Sequence, residues 1–502
     1  MNKIFKPILY SPAGDINKGL SAFFFGADGV YIGLDKFGLR KNAKVDLEEL
    51  KEFIDIAHKD GKKVDITLNA YLKNDEIQEV KEYIEKVIFL KPDSIIFSDP
   101  AVLLVYKELI ENMPNSSKIE FLPTLTLSTQ SNTTNFYSMK FWTQQGVKRI
   151  VAARELTLLE VYLAKKQAKE EKLNFELETF IHGAMCVSLS GRCLLSLYMT
   201  NKKFSKKGSE YQRDANRGEC VHPCRFAYLV EQSRENEYFP IEEDGRYSYI
   251  LSSKDLCLLY YIPLFIFCSI DAFKIEGRMK SSFYTSSITF AYRNAIDKAY
   301  EIFSDFEIKE KDLIKYLQNP SSFLYDFNQW KNFVDDINIY TDLASHRPYT
   351  TGFYFSQEHP DYMMPLYESK LIQPYSIVAE YIGNKLKKAK RRKGIKNASK
   401  TNLQENIENQ ISENIEENRL KPNQFIIFSK NSVKIEDSTF FLFCKKGIFD
   451  LKNFKIFDLN QNSISLIQHS KNYILELEDD ILFLTELSKD QIFFIFCKNK
   501  IK

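Results

Sequence analysis

The sequence predicts an α/β protein built around a (β/α)8 TIM-like barrel, with a small C-terminal all-β domain. Three observations support this prediction. Residues 1–305 alternate β-rich runs with helical segments, the β-rich runs number eight, and the composition changes after residue 346 to β-rich runs at short spacing. Strands separated by crossover helices imply a parallel sheet. Eight such units in about 300 residues are typical of the closed barrel.

Local patterns predict each barrel element. The eight β-rich runs are PILYSPA, GVYIGL, KVDITLNA, SIIFSDP, IEFLPTLTL, RIVAAREL, FELETFIHG and AFKIEG. Between them, residues 47–61 and 76–90 carry apolar side chains three and four positions apart, which is the spacing of one helix face. No G-x-G-x-x-G follows a run, so a dinucleotide-binding open sheet is disfavoured.

The second half of the chain divides into two further parts. Residues 306–345 are predicted to be a helical connection, and residues 346–502 a C-terminal β domain. Residues 385–420 interrupt that domain with a basic run, KLKKAKRRKGIK, followed by an Asn- and Glu-rich stretch. We favour a flexible charged insertion here, and a marginal amphipathic helix is the alternative.

Composition limits the classes of protein that remain. The chain has 502 residues and a net charge of +2, which indicates two or three globular domains and only local attraction to nucleic acid. The N-terminus does not have the pattern of a signal peptide, and no apolar run reaches the roughly 18 residues of a membrane span. We therefore expect a cytoplasmic protein with no membrane partner. In that compartment clustered cysteines are more often metal ligands or catalysts than disulfides.

Between predicted strands seven and eight lies a long segment, residues 183–270, called here the cysteine excursion. Five of the eight cysteines lie in its polar part, which ends at Cys257. They are Cys186, Cys193, Cys220, Cys224 and Cys257. Cysteine is usually a small buried hydrophobe, so a group of five in a polar segment indicates metal binding, with structural thiols as the alternative. An iron–sulfur cluster and a tetrahedral zinc site use the same ligand type, and both stay open.

Polar residues gather where the predicted strands end, which is the functional face of such a barrel. The candidate residues on these strands or at their ends are Asn69, Arg154, Glu178, His182, Lys274, Glu276 and Arg278. Run seven carries His182 and Glu178, which is expected at the strand end, and it continues directly into the cysteine excursion. The excursion is therefore expected to leave from the functional face.

With these motifs in order, the chain resembles peptidase family U32. The resemblance rests on SPAGD, GADGVYIG, FGLR, GAMCVSLSGRCLLSLYMT, RDANRGECVHPCR, SSKDLC, FKIEGRMKS and HRPYTTGFYF. The run FSKKGSEYQ, between TNKK and RDANRG, is an insertion relative to the usual spacing. It should be tolerated, since the entropy cost of closing a loop grows slowly with its length.

The resemblance implies RNA chemistry. The branch of the family that the chain resembles most acts in O2-independent C5 hydroxylation of the wobble uridine of tRNA. It uses prephenate as oxygen source and a 4Fe–4S cluster held by four cysteines. The expected partners are thus the tRNA anticodon loop and prephenate. The implied ligands are Cys186, Cys193, Cys220 and Cys257, and Cys224 is the alternative to Cys257. Other relatives hydroxylate a ribosomal RNA cytidine or the ubiquinone ring.

Roles for the remaining candidates follow from the two carboxylates of prephenate, which arginine can bind with two parallel hydrogen bonds. We expect substrate binding by Arg40, Asn69, Arg154, Lys274 and Arg278. Taken singly, each basic residue is better explained as a structural ion-pair partner, whereas the set at one barrel mouth forms a candidate anion site. Glu178, His182 and Glu276 are the candidate catalytic groups. The alternatives are that the glutamates neutralise the cations and that His182 is a satisfied polar residue at a strand end.

Two other functional classes stay open. A peptidase would need a catalytic nucleophile or a catalytic metal site. The sequence has neither the zinc motif H-E-x-x-H nor the serine motif G-x-S-x-G. Cys186 with His182, four positions apart, is the remaining candidate pair. A non-catalytic RNA-binding scaffold with a structural metal is the second alternative.

Overall fold

The computed structural model describes most of the chain. The described ranges are residues 4–34, 36–39, 46–112, 121–186, 188–193, 196, 213–217, 219–220, 242–243, 248–249, 253–355, 372–382, 420–421, 423–435, 438–452, 454–478, 481 and 491–498. Arg40, Cys224 and almost all of the predicted insertion 385–420 lie outside them.

Eight parallel strands close into a barrel, as the sequence predicted. Barrel strands 1 to 8 are Ile8–Ala13, Gly29–Gly33, Lys63–Leu68, Ser94–Phe97, Thr124–Leu127, Arg149–Val151, Glu176–Ala184 and Ala272–Ile275. Each pairs in parallel with the next along the chain from strand 1 to strand 7. Barrel strand 8 pairs in parallel with both strand 1 and strand 7, which closes the ring.

Helices cover the outside of the barrel. They are Ile16–Phe24, Leu47–Lys59, Ile77–Leu90, Pro100–Glu111, Phe136–Gln144, Leu158–Glu170, Ile262–Phe267 and Ser282–Phe303. Six begin at a polar residue whose side chain accepts a hydrogen bond from a backbone N–H of the first turn, which satisfies an otherwise orphaned donor. These capping residues are Asp15, Asp46, Asp99, Asn135, Thr157 and Ser281.

The predicted apolar helix faces form the outer core. Leu50, Phe53, Ile54 and Ala57 are buried on the helix Leu47–Lys59. The same spacing buries one face of Ile77–Leu90. The barrel strands are buried on both sides, because the helices cover one side and the other strands face them across the interior.

The end of the cysteine excursion adds a strand to the barrel sheet. Asp255–Cys257 pairs antiparallel with barrel strand 7, and Tyr349–Thr350 then pairs with Asp255–Cys257 in parallel. Arg347 also donates from its backbone N–H to Asp255 Oδ2 (3.1 Å).

The sequence-based boundary at residue 346 differs from the division of the structure into compact units. The compact units of the structure are Met1–Ile372 and Gln373–Lys502, so the HRPYTTGFYF motif belongs to the barrel unit. The reason is the pairing with Asp255–Cys257, which joins segments far apart in sequence and leaves no local signal.

The remaining elements follow the barrel. Residues 306–345 contain the helices Glu310–Gln318, Pro320–Asp326, Asn328–Ile337 and Ile339–Asp342. The second unit has a seven-stranded sheet in which adjacent strands run antiparallel. In spatial order its strands are Gly447–Leu451, Phe440–Cys444, Ile492–Lys498, Tyr375–Ile382, Gln424–Ser429, Asn472–Leu477 and Phe454–Phe457. A two-stranded ribbon, Val433–Lys434 with Leu466–Ile467, accompanies it. Among the described helices of the chain, none combines the length and apolar character needed to cross a membrane.

Candidate active site at the barrel mouth

Four charged side chains fill the barrel interior, and we call them the interior charge network: Asp65, Arg149, Glu178 and Lys274. Lys274 Nζ donates to Glu178 Oε1 (2.6 Å), and Arg149 Nε lies 3.2 Å from Glu178 Oε2. Arg149 also donates to Asp65. All four are almost fully buried. Two negative and two positive groups therefore compensate one another inside the barrel.

Burial and pairing act against each other in this network. Burial raises the pKa of Glu178, but Lys274 and Arg149 outweigh it and hold that pKa below its usual value. Burial lowers the pKa of Lys274, although Glu178 opposes the change. Burial likewise raises the pKa of Asp65, and Arg149 works against the rise. Glu178 is thus kept as a carboxylate by its two cations.

Glu178 is the third residue of barrel strand 7 and not its last, because the strand continues to Ala184. It neutralises Lys274 and Arg149, which is the alternative that the sequence left open for the glutamates. A catalytic role for Glu178 and a substrate-binding role for Lys274 stay predictions.

Above this network, Asn69 and Arg278 lie at the barrel mouth, as expected from their positions after strands 3 and 8. Arg278 Nη1 donates to Thr67 Oγ1 (2.7 Å) and Nη2 to the backbone oxygen of Leu39 (3.2 Å). The Asn69 amide donates to Gln130 Oε1 (3.2 Å). Its oxygen accepts from the Leu39 backbone N–H (3.2 Å). The loops after strands 2, 3, 5 and 8 are therefore joined by polar side chains around one opening.

Arg154 is the other basic candidate at the mouth, after strand 6. Its guanidinium carbon lies 4.3 Å from the centre of the Phe180 ring, a cation–π arrangement. Its Nε is buried and has no hydrogen-bond partner among the described residues. A buried cationic donor without a partner is costly, so a bound anion would relieve a real deficit at this position.

His182 and Glu276 lie side by side at the ends of strands 7 and 8, where the Glu276 backbone N–H donates to the His182 backbone oxygen (2.9 Å). The His182 ring is buried against the rings of Tyr284, Tyr292 and Tyr349. Its Nδ1 lies 3.3 Å from the Tyr292 hydroxyl.

Burial, with smaller effects of the nearby His346 and Lys280, lowers the pKa of His182 to about 3. The ring is therefore neutral near pH 7. Its described hydrogen-bond contact is with Tyr292 and not with the exposed Cys186, so the structure does not form the Cys–His pair that a peptidase would use.

The predicted cysteine ligands lie in several segments. Cys186 follows barrel strand 7 and is exposed, and Cys193 and Cys220 are partly buried in the excursion. Cys257 lies opposite His182 in the antiparallel pairing, with its Sγ 3.8 Å from the Tyr292 hydroxyl. Burial raises the pKa of Cys257 to about 11.

The donor chemistry of these thiols suits an iron–sulfur cluster. Within the described ranges, however, no three His, Cys, Asp or Glu side chains are grouped closely enough to hold a metal ion. The four-cysteine site therefore stays a prediction.

Two contacts fasten the start of the excursion to the loops after strands 5 and 6. Glu155 accepts hydrogen bonds from the Ser190 backbone N–H (2.6 Å) and hydroxyl (2.7 Å). This fixes Ser190 in a left-handed conformation (φ 44°), which is costly for a residue with a Cβ. Arg192 Nε donates to the backbone oxygen of Gln130 (2.6 Å). The SLSG turn therefore lies against the rim of the barrel.

A second set of contacts fastens the RDANRG segment to the loop after strand 3. The Asn216 side chain bonds both backbone groups of Cys193, accepting from N–H (3.0 Å) and donating to oxygen (2.9 Å). Its backbone oxygen accepts from the Tyr71 N–H (2.8 Å). Arg217 forms a two-bond ion pair with Glu76. The excursion is thus held at two places on the rim, by the loops after strands 5 and 6 and by the loop after strand 3.

The sequence analysis missed several of these residues. Asp65 was hidden inside a strand run, where its charge between Val64 and Ile66 is the only signal, and Arg149 begins its strand after Lys148, where a basic residue has an ordinary place. Asn216 and Glu155 act through contacts between distant segments, so no local spacing marks them.

Comparison with known proteins agrees with this architecture. The model of peptidase family U32 matches residues 14–364. The chain is 36% identical over 295 residues to the tRNA hydroxylation protein P1 of Bacillus subtilis, covering 58% of this chain and 63% of that protein. It is 28% identical over 452 residues to the tRNA hydroxylation protein P of Haemophilus influenzae, covering 81% and 86%.

It is also 32% identical over 295 residues to the 23S rRNA 5-hydroxycytidine C2501 synthase of Escherichia coli, covering 58% of this chain and 40% of that protein. The match thus spans less than two thirds of both the Bacillus relative and the ribosomal RNA enzyme. The family model, by contrast, covers well over half of this chain. The chain belongs to peptidase family U32.

Proposed function

We propose that this protein is an RNA-modifying enzyme that hydroxylates C5 of the wobble uridine of tRNA without O2. The observation that carries the proposal is the similarity to the Haemophilus tRNA hydroxylation protein, which extends over 81% of this chain. The similarity to the Escherichia ribosomal RNA enzyme supports RNA hydroxylation in general and covers only 40% of that enzyme. A ribosomal cytidine is therefore the second candidate substrate.

Prephenate is the proposed oxygen source. Replacing a C5–H bond by C5–OH oxidises the base by two electrons, so prephenate would give up one oxygen atom and accept those two electrons. The cations at the mouth support binding of a dicarboxylate. Arg154 offers a buried Nε that lacks a hydrogen-bond partner in the described part of the chain. The guanidinium carbon of Arg278 lies 5.6 Å from the centre of the Tyr31 ring.

A 4Fe–4S cluster bound by Cys186, Cys193, Cys220 and Cys257 is part of the proposal. Thiolates are the ligands that such clusters use, and these four cysteines lie on an excursion attached to the mouth. Such a cluster, when bound, supplies Lewis-acid or redox chemistry. The residues of the chain itself bind the anion, hold the excursion over the opening and keep His182 neutral.

A peptidase is the alternative that the family name suggests. Its candidate pair, Cys186 with His182, is not formed, because the His182 ring is buried among tyrosines. The geometry therefore favours the hydroxylase.

The test is a nucleoside profile of tRNA and ribosomal RNA from cells that lack the protein, grown without O2 and without a parallel O2-dependent route. We expect loss of 5-hydroxyuridine-derived nucleosides from tRNA, restored by the wild-type chain. Loss of 5-hydroxycytidine from ribosomal RNA instead would identify the ribosomal cytidine as the substrate. Unchanged profiles of both would overturn the function. Anaerobic turnover with 18O-labelled prephenate tests the oxygen source, since label should appear in the nucleoside.

A further inference from the structure

Tyr71 is the aromatic side chain that the described residues expose on a loop at the barrel mouth. Of the large apolar side chains exposed in the described ranges, three lie on loops that follow barrel strands: Tyr71, Leu189 and Met279. Tyr71 alone of the three is aromatic, and its side chain is 55% exposed. An aromatic ring at this position requires an explanation, because Phe37, on the loop after strand 2, is buried.

The backbone of Tyr71 is held on both sides. Its N–H donates to the backbone oxygen of Asn216 (2.8 Å), and its oxygen accepts from Arg217 Nη1 (3.2 Å). Arg217 is in turn fixed by Glu76. The ring is therefore exposed on a rigid support and not on a free loop tip, which lowers the entropy cost of binding a partner.

The neighbours of Tyr71 connect it to the centre of the mouth. Asn69, two residues earlier, is buried and bonds Gln130, whose backbone oxygen accepts from the exposed Arg192. Lys73, two residues later, is also exposed. Two cationic side chains on the same rim are suited to contacts with a phosphate backbone.

We propose that Tyr71 is the stacking platform for an unpaired base of the RNA substrate, a role that rests on the proposed function and names its base-binding contact. Proteins that recognise single-stranded RNA stack splayed bases on exposed aromatic rings and hold the phosphates with cations. The Tyr71 ring would hold the base at the rim, next to Asn69 and above the interior charge network. The occupant is a nucleotide base from a single-stranded loop.

The experiment measures the dissociation constant of the full-length protein for a fluorescent anticodon stem-loop RNA with uridine at the wobble position, by anisotropy. The variants are Tyr71→Ala and Tyr71→Phe. Tyr137→Ala is the matched control, since Tyr137 is 71% exposed on the outer helix Phe136–Gln144. Thermal melting checks folding, which should be retained because the contacts of Tyr71 with Asn216 and Arg217 use its backbone and not its ring. These contacts, together with the Arg217–Glu76 ion pair, are called here the clamp.

The Tyr71→Ala variant loses one base–aromatic stack, so its dissociation constant for the RNA should rise about ten-fold or more. Tyr71→Phe and Tyr137→Ala should stay within about two-fold of wild type, because one keeps the ring and the other lies elsewhere. In addition, 4-thiouridine at the wobble position should photo-crosslink to the peptide that contains Tyr71.

Equal binding by Tyr71→Ala and wild type would overturn the inference. A loss in Tyr71→Phe as large as that in Tyr71→Ala would also overturn it, since the hydroxyl would then carry the contact. A Tyr71-dependent affinity together with an unchanged nucleoside profile would support this inference and reject the proposed hydroxylase function, so the two failures are distinguishable.

Discussion

Glu76 and Arg217 form a two-bond ion pair between the loop after barrel strand 3 and the cysteine excursion, with one N–O distance of 2.8 Å. Both side chains are only about one-fifth exposed. Planar carboxylate and guanidinium groups that meet with two parallel bonds are stronger and more directional than a single surface contact. This pair therefore fixes where the excursion lies relative to Asn69 and Tyr71.

Breaking this ion pair should weaken the barrel unit more than breaking an exposed one. We expect Glu76→Gln to lower the free energy of unfolding by about 1–2 kcal/mol, as for a charge-assisted hydrogen bond. Glu79→Gln is the control, because Glu79 pairs with Lys36 where both side chains are about half exposed. That change should cost less than about 0.5 kcal/mol. Equal losses in urea unfolding would contradict the special role of the clamp.

The same pair predicts a pH dependence. The hydrogen bonds from Arg217 lower the pKa of Glu76 from 4.5 to about 2. A carboxyl group with a depressed pKa stabilises the folded state above its unfolded pKa, and that contribution disappears as the pH falls through the folded value. The stability difference between wild type and Glu76→Gln should therefore be constant above about pH 5 and shrink between about pH 4.5 and 2. A difference that stays unchanged at pH 3 would refute this assignment.

The interior charge network predicts a non-additive double mutant. Glu178→Leu leaves Lys274 buried without its carboxylate partner and removes one partner of Arg149, so it should cost about 3–5 kcal/mol. Glu178→Leu combined with Lys274→Met removes one charge of each sign and leaves Asp65 with Arg149. The double variant should lose less stability than the sum of the single variants. Additive losses in chemical denaturation would show that these two groups do not act as a pair.

The sequence was sufficient for the barrel because each of its elements has a local signal. The β-rich runs, alternating with helix faces, identified all eight strands. Asn69 and Arg278, which closely follow the ends of strands 3 and 8, lie at the mouth as expected. A parallel sheet brings those ends together whatever the loops contain.

The remaining features depend on contacts between distant segments. Glu178 was expected at a strand end, but the strand runs six residues beyond it to Ala184, which places it in the interior. Tyr349–Thr350 pairs with Asp255–Cys257, so the chain joins the barrel unit beyond the predicted boundary at residue 346. Asn216, which binds the backbone of Cys193, could not be found from spacing because the contact crosses the excursion.

Arg154 supplies a prediction for the proposed anion site. Its buried Nε lacks a partner in the described ranges, so a bound dicarboxylate would gain a charge-assisted hydrogen bond there. We expect Arg154→Met to weaken prephenate binding about ten-fold or more by calorimetry, and Arg154→Lys to lose part of that affinity. Arg293→Lys is the control, since Arg293 lies on an outer helix and pairs with Asp28. Unchanged affinity in Arg154→Met would place the anion elsewhere.

The cysteine ligands give the last prediction, which anaerobic purification followed by iron and sulfide analysis checks. We expect about four irons per chain, as in a 4Fe–4S cluster. Cys257→Ser should lose the iron, whereas Cys224→Ser should keep it. Cys497→Ser is the control, because Cys497 lies in the C-terminal sheet. Loss of iron in Cys224→Ser with retention in Cys257→Ser would move the fourth ligand to Cys224.

One zinc and no iron would reject the iron–sulfur proposal, since zinc uses the same thiolates but has no redox chemistry. A cluster that depends on Cys257 would also change the environment of that thiol. Burial raises its pKa to about 11, with hydrogen bonds from Leu259 and Tyr292 acting against the rise, and a metal ion that binds the thiolate would favour the charged form further. The iron content of Cys257→Ser therefore decides between a buried structural thiol beside Tyr292 and a metal ligand.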